Sequence, residues 1–145
     1  MFEEFAVTDF PTLKGLASLP GRPAGFVYVI FWMSEALHVP FYVGQTQRLS
    51  ERMKDYCTAH FMASTDFRVG EAIRYLRDIK NYGIMLKYRP SDERARDERA
   101  IIRDLHLSGK LLLNDLVGYD YRIAEKEEER KTVHRFCDAL IKISK

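Results

Sequence analysis

Cysteine is scarce: two residues in a chain of 145. Cys57 and Cys137 show no metal-ligand spacing, which argues against a thiolate zinc site. Both fall on apolar faces of expected helices, so buried reduced thiols are expected rather than a disulfide. Long apolar runs are also missing. None approaches the ~20 residues that span a bilayer, and no basic segment followed by an apolar one opens the chain. A soluble, cytoplasmic protein with no membrane partner is the expectation. Internal repeats and low-complexity tracts are absent, which removes the solenoid and disordered classes. Net charge is small, at +2.

What is present is enough for a core. Hydrophobic residues make up 46% of the chain and aromatics 12%, and the length fits one domain of the common ~100–150 residues. The positive charge is concentrated in the middle. Residues 1–40 carry 2 basic and 4 acidic side chains, residues 41–110 carry 14 and 10, and residues 111–145 carry 7 of each. A mild central excess is compatible with a phosphate-rich partner and equally with a solvated surface.

Residues 1–24 mix Phe2, Phe5, Phe10, Leu13 and Leu16 with three prolines. A short helix or loop packed on the body is expected there as an N-terminal extension. Phe26 to Trp32 is an unbroken β-branched and aromatic run, the pattern of a strand covered on both faces. Val39 to Gly44 is a second run, and the two should pair as an antiparallel hairpin. From Leu49 the period turns helical, with Leu49, Met53, Tyr56 and His60 on one face. A second helix is expected over about 69–82 (Ala72, Ile73, Leu76, Ile79), stopped by Asn81-Tyr82-Gly83. Ile84 to Tyr88 should be a third strand. Ser91 is placed to cap a third helix running to about Leu107 and ending before Gly109. A last helix, about 124–143, aligns Val133, Phe136, Cys137 and Leu140 against a charged outer face. This order predicts an α+β domain with a small, mainly antiparallel, three-stranded sheet flanked by helices.

Several polar residues break that pattern. Glu98 shares its arc of the third helix with Ala95, Ile101, Ile102 and Leu105. A carboxylate in an apolar stripe is costly to bury unless it is paired or holds a cation. Two readings stay open: an internal ion pair with Arg52, or a ligand for a hard metal ion. Arg52 lies at the rim of an apolar helical face, with Tyr56 one turn on and His60 a further turn on. Tyr56 and His60 are each, taken alone, ordinary core residues. Tyr28 and Tyr42 stand within apolar strands. Phenols, a guanidinium and a carboxylate together would suit phosphodiester hydrolysis, which needs a base, a positive group for developing charge and a cation for the leaving oxygen.

The spacing adds a resemblance. Phe26-Val27-Tyr28, then Tyr42-Val43-Gly44, then Gln45-Thr46-x-x-Leu49-x-x-Arg52-x-x-x-Tyr56 resembles the signature of the GIY-YIG nucleases. Glu98-x-x-Ile101-Ile102 and Leu113-Asn114 look like later elements of that family. The likeness covers about residues 25–115, which would form the nuclease core, with 116–145 as a C-terminal helix completing the domain. Phe26 stands where the signature has its first glycine, although Gly25 precedes it. Gln45 replaces the lysine of some members, and the stretch from Glu98 to Asn114 is longer than in many.

The resemblance implies a metal-dependent endonuclease acting on nucleic acid, usually DNA. By it, Tyr28 would be the phenolic base or its helper, and Tyr42 would order the attacking water. Arg52 would contact the scissile phosphate, with Tyr56 close by. Glu98 would be the sole protein ligand of Mg²⁺ or Mn²⁺. Gln45, Thr46, Arg48, His60 and Asn114 would lie along the substrate, Asn114 also holding the site's shape by hydrogen bonding. A nucleic-acid-binding module that keeps the fold without turnover is the alternative. No added base-reading element is visible, and the apolar face of the last helix leaves monomer and homodimer both open.

Overall fold

The apolar run after Gly25 becomes the heart of a sheet, as its composition demands. The computed structural model describes residues 1–20, 25–58, 64–116 and 126–144. In chain order its elements are β1 (Ala6–Asp9), β2 (Phe26–Ser34), β3 (Leu37–Thr46), α1 (Leu49–Cys57), α2 (Ser64–Arg74), β4 (Gly83–Pro90), α3 (Arg94–Leu107) and α4 (Lys126–Ser144). Short 3-10 turns cover Leu13–Ser18 and Leu113–Asp115. All strand pairings are antiparallel, in the order β1-β4-β2-β3.

The fold is α+β, but the sheet has four strands where three are expected from the sequence. The extra one is β1, pairing Ala6 to Asp9 with Tyr88 to Met85 of β4. Its side chains are largely exposed, so backbone hydrogen bonding alone makes it a strand and no apolar alternation announces it.

β2 is covered on both faces. Phe26, Tyr28, Ile30 and Trp32 face one core with α1, α2 and α4, through Leu49, Met53, Val69, Ile73, Leu76, Val133, Phe136 and Leu140. Val27, Val29 and Phe31 face a second core beneath α3, with Ile101 and Leu105. An unbroken apolar run is what such double burial requires.

β3 carries an irregularity that shapes the site. Ile30 pairs with Tyr42 but Phe31 pairs with Pro40, so Phe41 is an extra residue in the ladder. Strict alternation would send Phe41 and Tyr42 to opposite faces. The bulge instead lets both enter the same core as Tyr28. Pro40, which has no N–H to give, is tolerated on this outer strand.

The helices follow the sequence pattern with several shifts, the first being that α2 starts at Ser64, ahead of the start expected near residue 69. α2 runs into a wider π turn at Tyr75–Ile79, which changes the phase of the apolar stripe and leaves Ile79 53% exposed. The expected stop comes at Asn81, in the left-handed region at φ 62°. α3 begins at Arg94, with Glu93 rather than Ser91 at its cap position. Ser91 Oγ instead accepts from the Glu93 N–H and donates to Asp97 in the first turn. With that start, Ala95 is exposed at the helix edge rather than on the apolar face. Both cysteines are free; Cys137 is buried and Cys57 half-buried. No helix among the described residues is long and apolar enough to cross a membrane.

Candidate functional site

The three tyrosines converge. Tyr28 from β2, Tyr42 from β3 and Tyr56 from α1 form a triangle of rings with centroid separations of 6.3, 6.4 and 6.3 Å. The Tyr28 and Tyr56 hydroxyls are 2.5 Å apart. Tyr28 sits directly across the ladder from Gly44. A β-carbon on Gly44 would run into the Tyr28 phenol, 2.8 Å from Cε2 and closer still to Cζ and the hydroxyl. Glycine at this position lets the ring lie flat across β3, a close-approach role.

Burial sets the protonation of these phenols. Tyr28 is 1% exposed and Tyr42 8%. Burial pushes the Tyr28 phenol well up, the Tyr42 charge adds to that, and Tyr56 and Arg52 offset only part of it. Tyr42 and Tyr56 are raised for the same first reason, loss of hydration. All three are neutral hydroxyls near neutral pH, each able to give one hydrogen bond and accept another.

Arg52 stands over this cluster, its guanidinium carbon 5.4 Å from the Tyr56 ring centre. Its side chain is 30% exposed, and one terminal nitrogen is 2.8 Å from Asp66 Oδ1. Asp66, in the first turn of α2, is nearly fully buried. The internal pair entertained between Arg52 and Glu98 does not form; Asp66 takes that place. In the sequence Asp66 lies ahead of the helix expected over about 69–82, and only the packing of α1 on α2 reveals its role.

Glu98 is half-buried on α3. Burial raises its carboxyl above the ordinary value, with only the Arg99 charge working against it. It has no ion-pair partner among the described residues, and it is near enough to Tyr42 for its charge to raise that phenol. Among the described residues no three His, Cys, Asp or Glu side chains cluster as a metal centre. Any cation here would therefore rest on fewer than three such side chains, with outside oxygens completing its shell. A half-buried, unpaired Glu98 fits that demand, since a carboxylate oxygen is a hard donor suited to Mg²⁺ or Mn²⁺.

The remaining expected residues divide by role. Asn114 grips the β3 backbone at both ends of its amide, Oδ1 accepting from the Val43 N–H at 3.0 Å and Nδ2 donating to the Val43 carbonyl at 2.7 Å. It thereby satisfies groups on the outer side of an edge strand. Thr46 Oγ1 accepts from the Arg48 N–H at 2.9 Å and shapes the turn into α1. Arg48 pairs with Glu51 on the surface. Gln45, Thr46, Arg48, Glu51, Arg52 and Asp55 line a groove of about 310 Å³. A smaller cavity of about 130 Å³ opens beside Tyr42 and Asn114. His60 lies outside the described residues.

The structure thus brings Tyr28, Tyr42, Tyr56 and Arg52 into one cluster, with Glu98 in electrostatic reach of Tyr42 from the helix on the other side of the sheet. No family model, curated protein or solved structure matches the chain in comparisons with known proteins.

Proposed function

We propose that this chain is a metal-dependent endonuclease of the GIY-YIG type, acting on nucleic acid and most naturally on DNA. The observation that carries the reading is one arrangement: a guanidinium over a cluster of three phenols, two of them hydrogen-bonded, with an unpaired half-buried carboxylate in electrostatic reach of the third. A core built only for stability has little use for a carboxylate left unpaired at its edge.

In this reading Arg52 holds the scissile phosphate and stabilises the charge that develops on it, a role for which a delocalised, always-charged group is suited. Tyr42 is the most exposed phenol of the three and lines the cavity beside Asn114, so it orients the attacking water. Tyr28 and Tyr56 stand behind it as a neutral hydrogen-bonded pair against which its ring packs. Glu98 would hold Mg²⁺ or Mn²⁺, which when bound supplies Lewis acidity to phosphate oxygens. Asn114 fixes the strand that presents Tyr42.

Two observations favour the non-catalytic alternative. Tyr28 is closed to solvent, and Arg52 is already engaged by Asp66. A binding module would keep this geometry without turnover. The distinguishing experiment incubates purified protein with supercoiled plasmid, branched DNA, single strands and RNA, each with Mg²⁺, Mn²⁺ or EDTA. The nuclease reading expects metal-dependent cleavage of at least one substrate. Binding without cleavage on every substrate would select the module.

A further inference from the structure

We propose that Arg94, held in place by Gln45, is a second phosphate-binding residue, and that the nucleic-acid backbone continues from the Arg52 groove across Gln45 into a groove beside α3. The proposal rests on the nuclease reading above, because it concerns the substrate of that same site.

The first support is the pairing of the surrounding arginines. Arg48 is paired with Glu51, Arg52 with Asp66, Arg89 with Asp97, Arg96 with Glu93, and Arg103 with Asp104. Arg94 and Arg99 have no carboxylate ion pair among the described residues, and of the two Arg99 is exposed. The Arg94 side chain is only half-exposed, so leaving its charge unneutralised has a cost that a surface arginine does not bear.

Arg94 is also positioned. Its Nε donates to Gln45 Oε1 at 2.7 Å, which fixes the plane of the guanidinium and leaves the terminal nitrogens available for a bidentate anion contact. The stem lies over Gly25, where a β-carbon would come within 3.2 Å of Arg94 Cδ and 3.0 Å of the Ser91 carbonyl. Gly25 in turn accepts from the Ser91 N–H at 2.9 Å, locking the start of α3 to β2. A charged side chain pinned by a neutral amide, with its tips left open, is arranged for an external anion.

The third support is continuity. Gln45 lines both the groove that contains Arg48 and Arg52 and a second groove of about 490 Å³ that contains Arg94, Arg96 and Arg99. Asp92 and Glu93 also line the second groove, and Glu93 is occupied by Arg96. Glu98 follows Arg94 by four residues on the same face of α3. A phosphate chain crossing Gln45 would therefore meet Arg52 on one side and Arg94 on the other.

The test uses Glu98→Gln as a non-cleaving background and measures its binding to a labelled short DNA duplex, a single strand and an RNA duplex across a salt series. Adding Arg94→Ala should weaken binding about tenfold at low salt, and should flatten the log–log salt dependence by about 0.9, the signature of one lost phosphate contact. Arg94→Lys should restore the slope while recovering only part of the affinity. Gln45→Ala should weaken binding by about threefold with the slope unchanged, since charge is kept and only its positioning is lost. Arg135→Ala, on the outer face of α4, is the charge control and should change nothing. Thermal melting of each variant separates lost contact from lost fold. If Arg94→Ala binds like the Arg135 control, or loses affinity without any change of slope, the proposal is overturned. If the Glu98→Gln background binds none of the three probes, the nuclease reading itself fails and the Arg94 proposal with it.

Discussion

Asp66 holds Arg52 at 2.8 Å, joining the first turn of α2 to the middle of α1 immediately above the tyrosine cluster. The pair fixes where the guanidinium sits before any substrate arrives. Removing Arg52 takes the cation at 2.8 Å away from a nearly buried carboxylate. Arg52→Ala should therefore cost about 2–3 kcal/mol in urea unfolding, below the full penalty for a wholly enclosed pair because Arg52 is partly hydrated. Arg52→Lys should retain most of the stability. An Arg52→Ala protein as stable as wild type would show that the pair contributes nothing.

Glu98 should behave in the opposite sense. Its carboxyl is raised above the ordinary 4.5 by burial, so the folded state prefers it protonated. The sign follows: stability is greatest when Glu98 is neutral, and declines as pH rises from about 4.5 through the raised folded value. Glu98→Gln removes that decline. Without added metal, the variant should equal or exceed wild type at pH 7, and its advantage should vanish below pH ~4.5. A variant less stable than wild type at pH 7 would mean that Glu98 has a cationic partner in the fold.

The phenols give an alkaline counterpart. Tyr28, Tyr42 and Tyr56 are all raised above the ordinary 10.0 by burial, so the fold holds them neutral while the unfolded chain ionises them. Stability should fall as pH rises through about 10, and absorbance titration near 295 nm should show these rings ionising only as the protein unfolds. Full titration of all eight tyrosines with the fold intact would contradict the enclosed cluster.

Much of this architecture is legible in the residues, and what is hidden is hidden for physical reasons. The doubly covered β2, the hairpin to β3 and the buried faces of α1 and α4 follow from apolar pattern alone. β1 is not, because an exposed four-residue strand contributes backbone pairing without a side-chain signature. Ile79 breaks phase because a π turn intervenes, and hydrophobic periodicity assumes a constant pitch. In the site, the spacing of Tyr28, Tyr42, Arg52 and Tyr56 anticipates their convergence. Asp66 and the Arg94–Gln45 bond are tertiary facts joining elements far apart in sequence. The bulge at Phe41, which brings Phe41 onto the face that Tyr28 and Tyr42 share, has no sequence cue beyond the adjacent Pro40.

Asn114 offers a test of how β3 is held. Its amide donates to and accepts from one residue, Val43. Asn114→Ala should cost about 1–3 kcal/mol by leaving two backbone groups unsatisfied at a partly buried edge. Asn114→Asp should cost nearly as much, because a carboxylate can accept from the Val43 N–H but repels its carbonyl. Urea unfolding at pH 7 distinguishes these outcomes, and an Asp variant as stable as wild type would refute the two-ended grip.

The most direct test of the central claim is the initial rate of supercoiled-plasmid cleavage in Mg²⁺ by wild type and by Glu98→Gln, with melting curves recorded on the same samples. Metal-dependent cleavage by wild type is expected, with a loss of about 10³-fold or more in the variant, whose fold is at least as stable. Cleavage undiminished in Glu98→Gln would contradict the assignment of Glu98 as the metal-holding carboxylate.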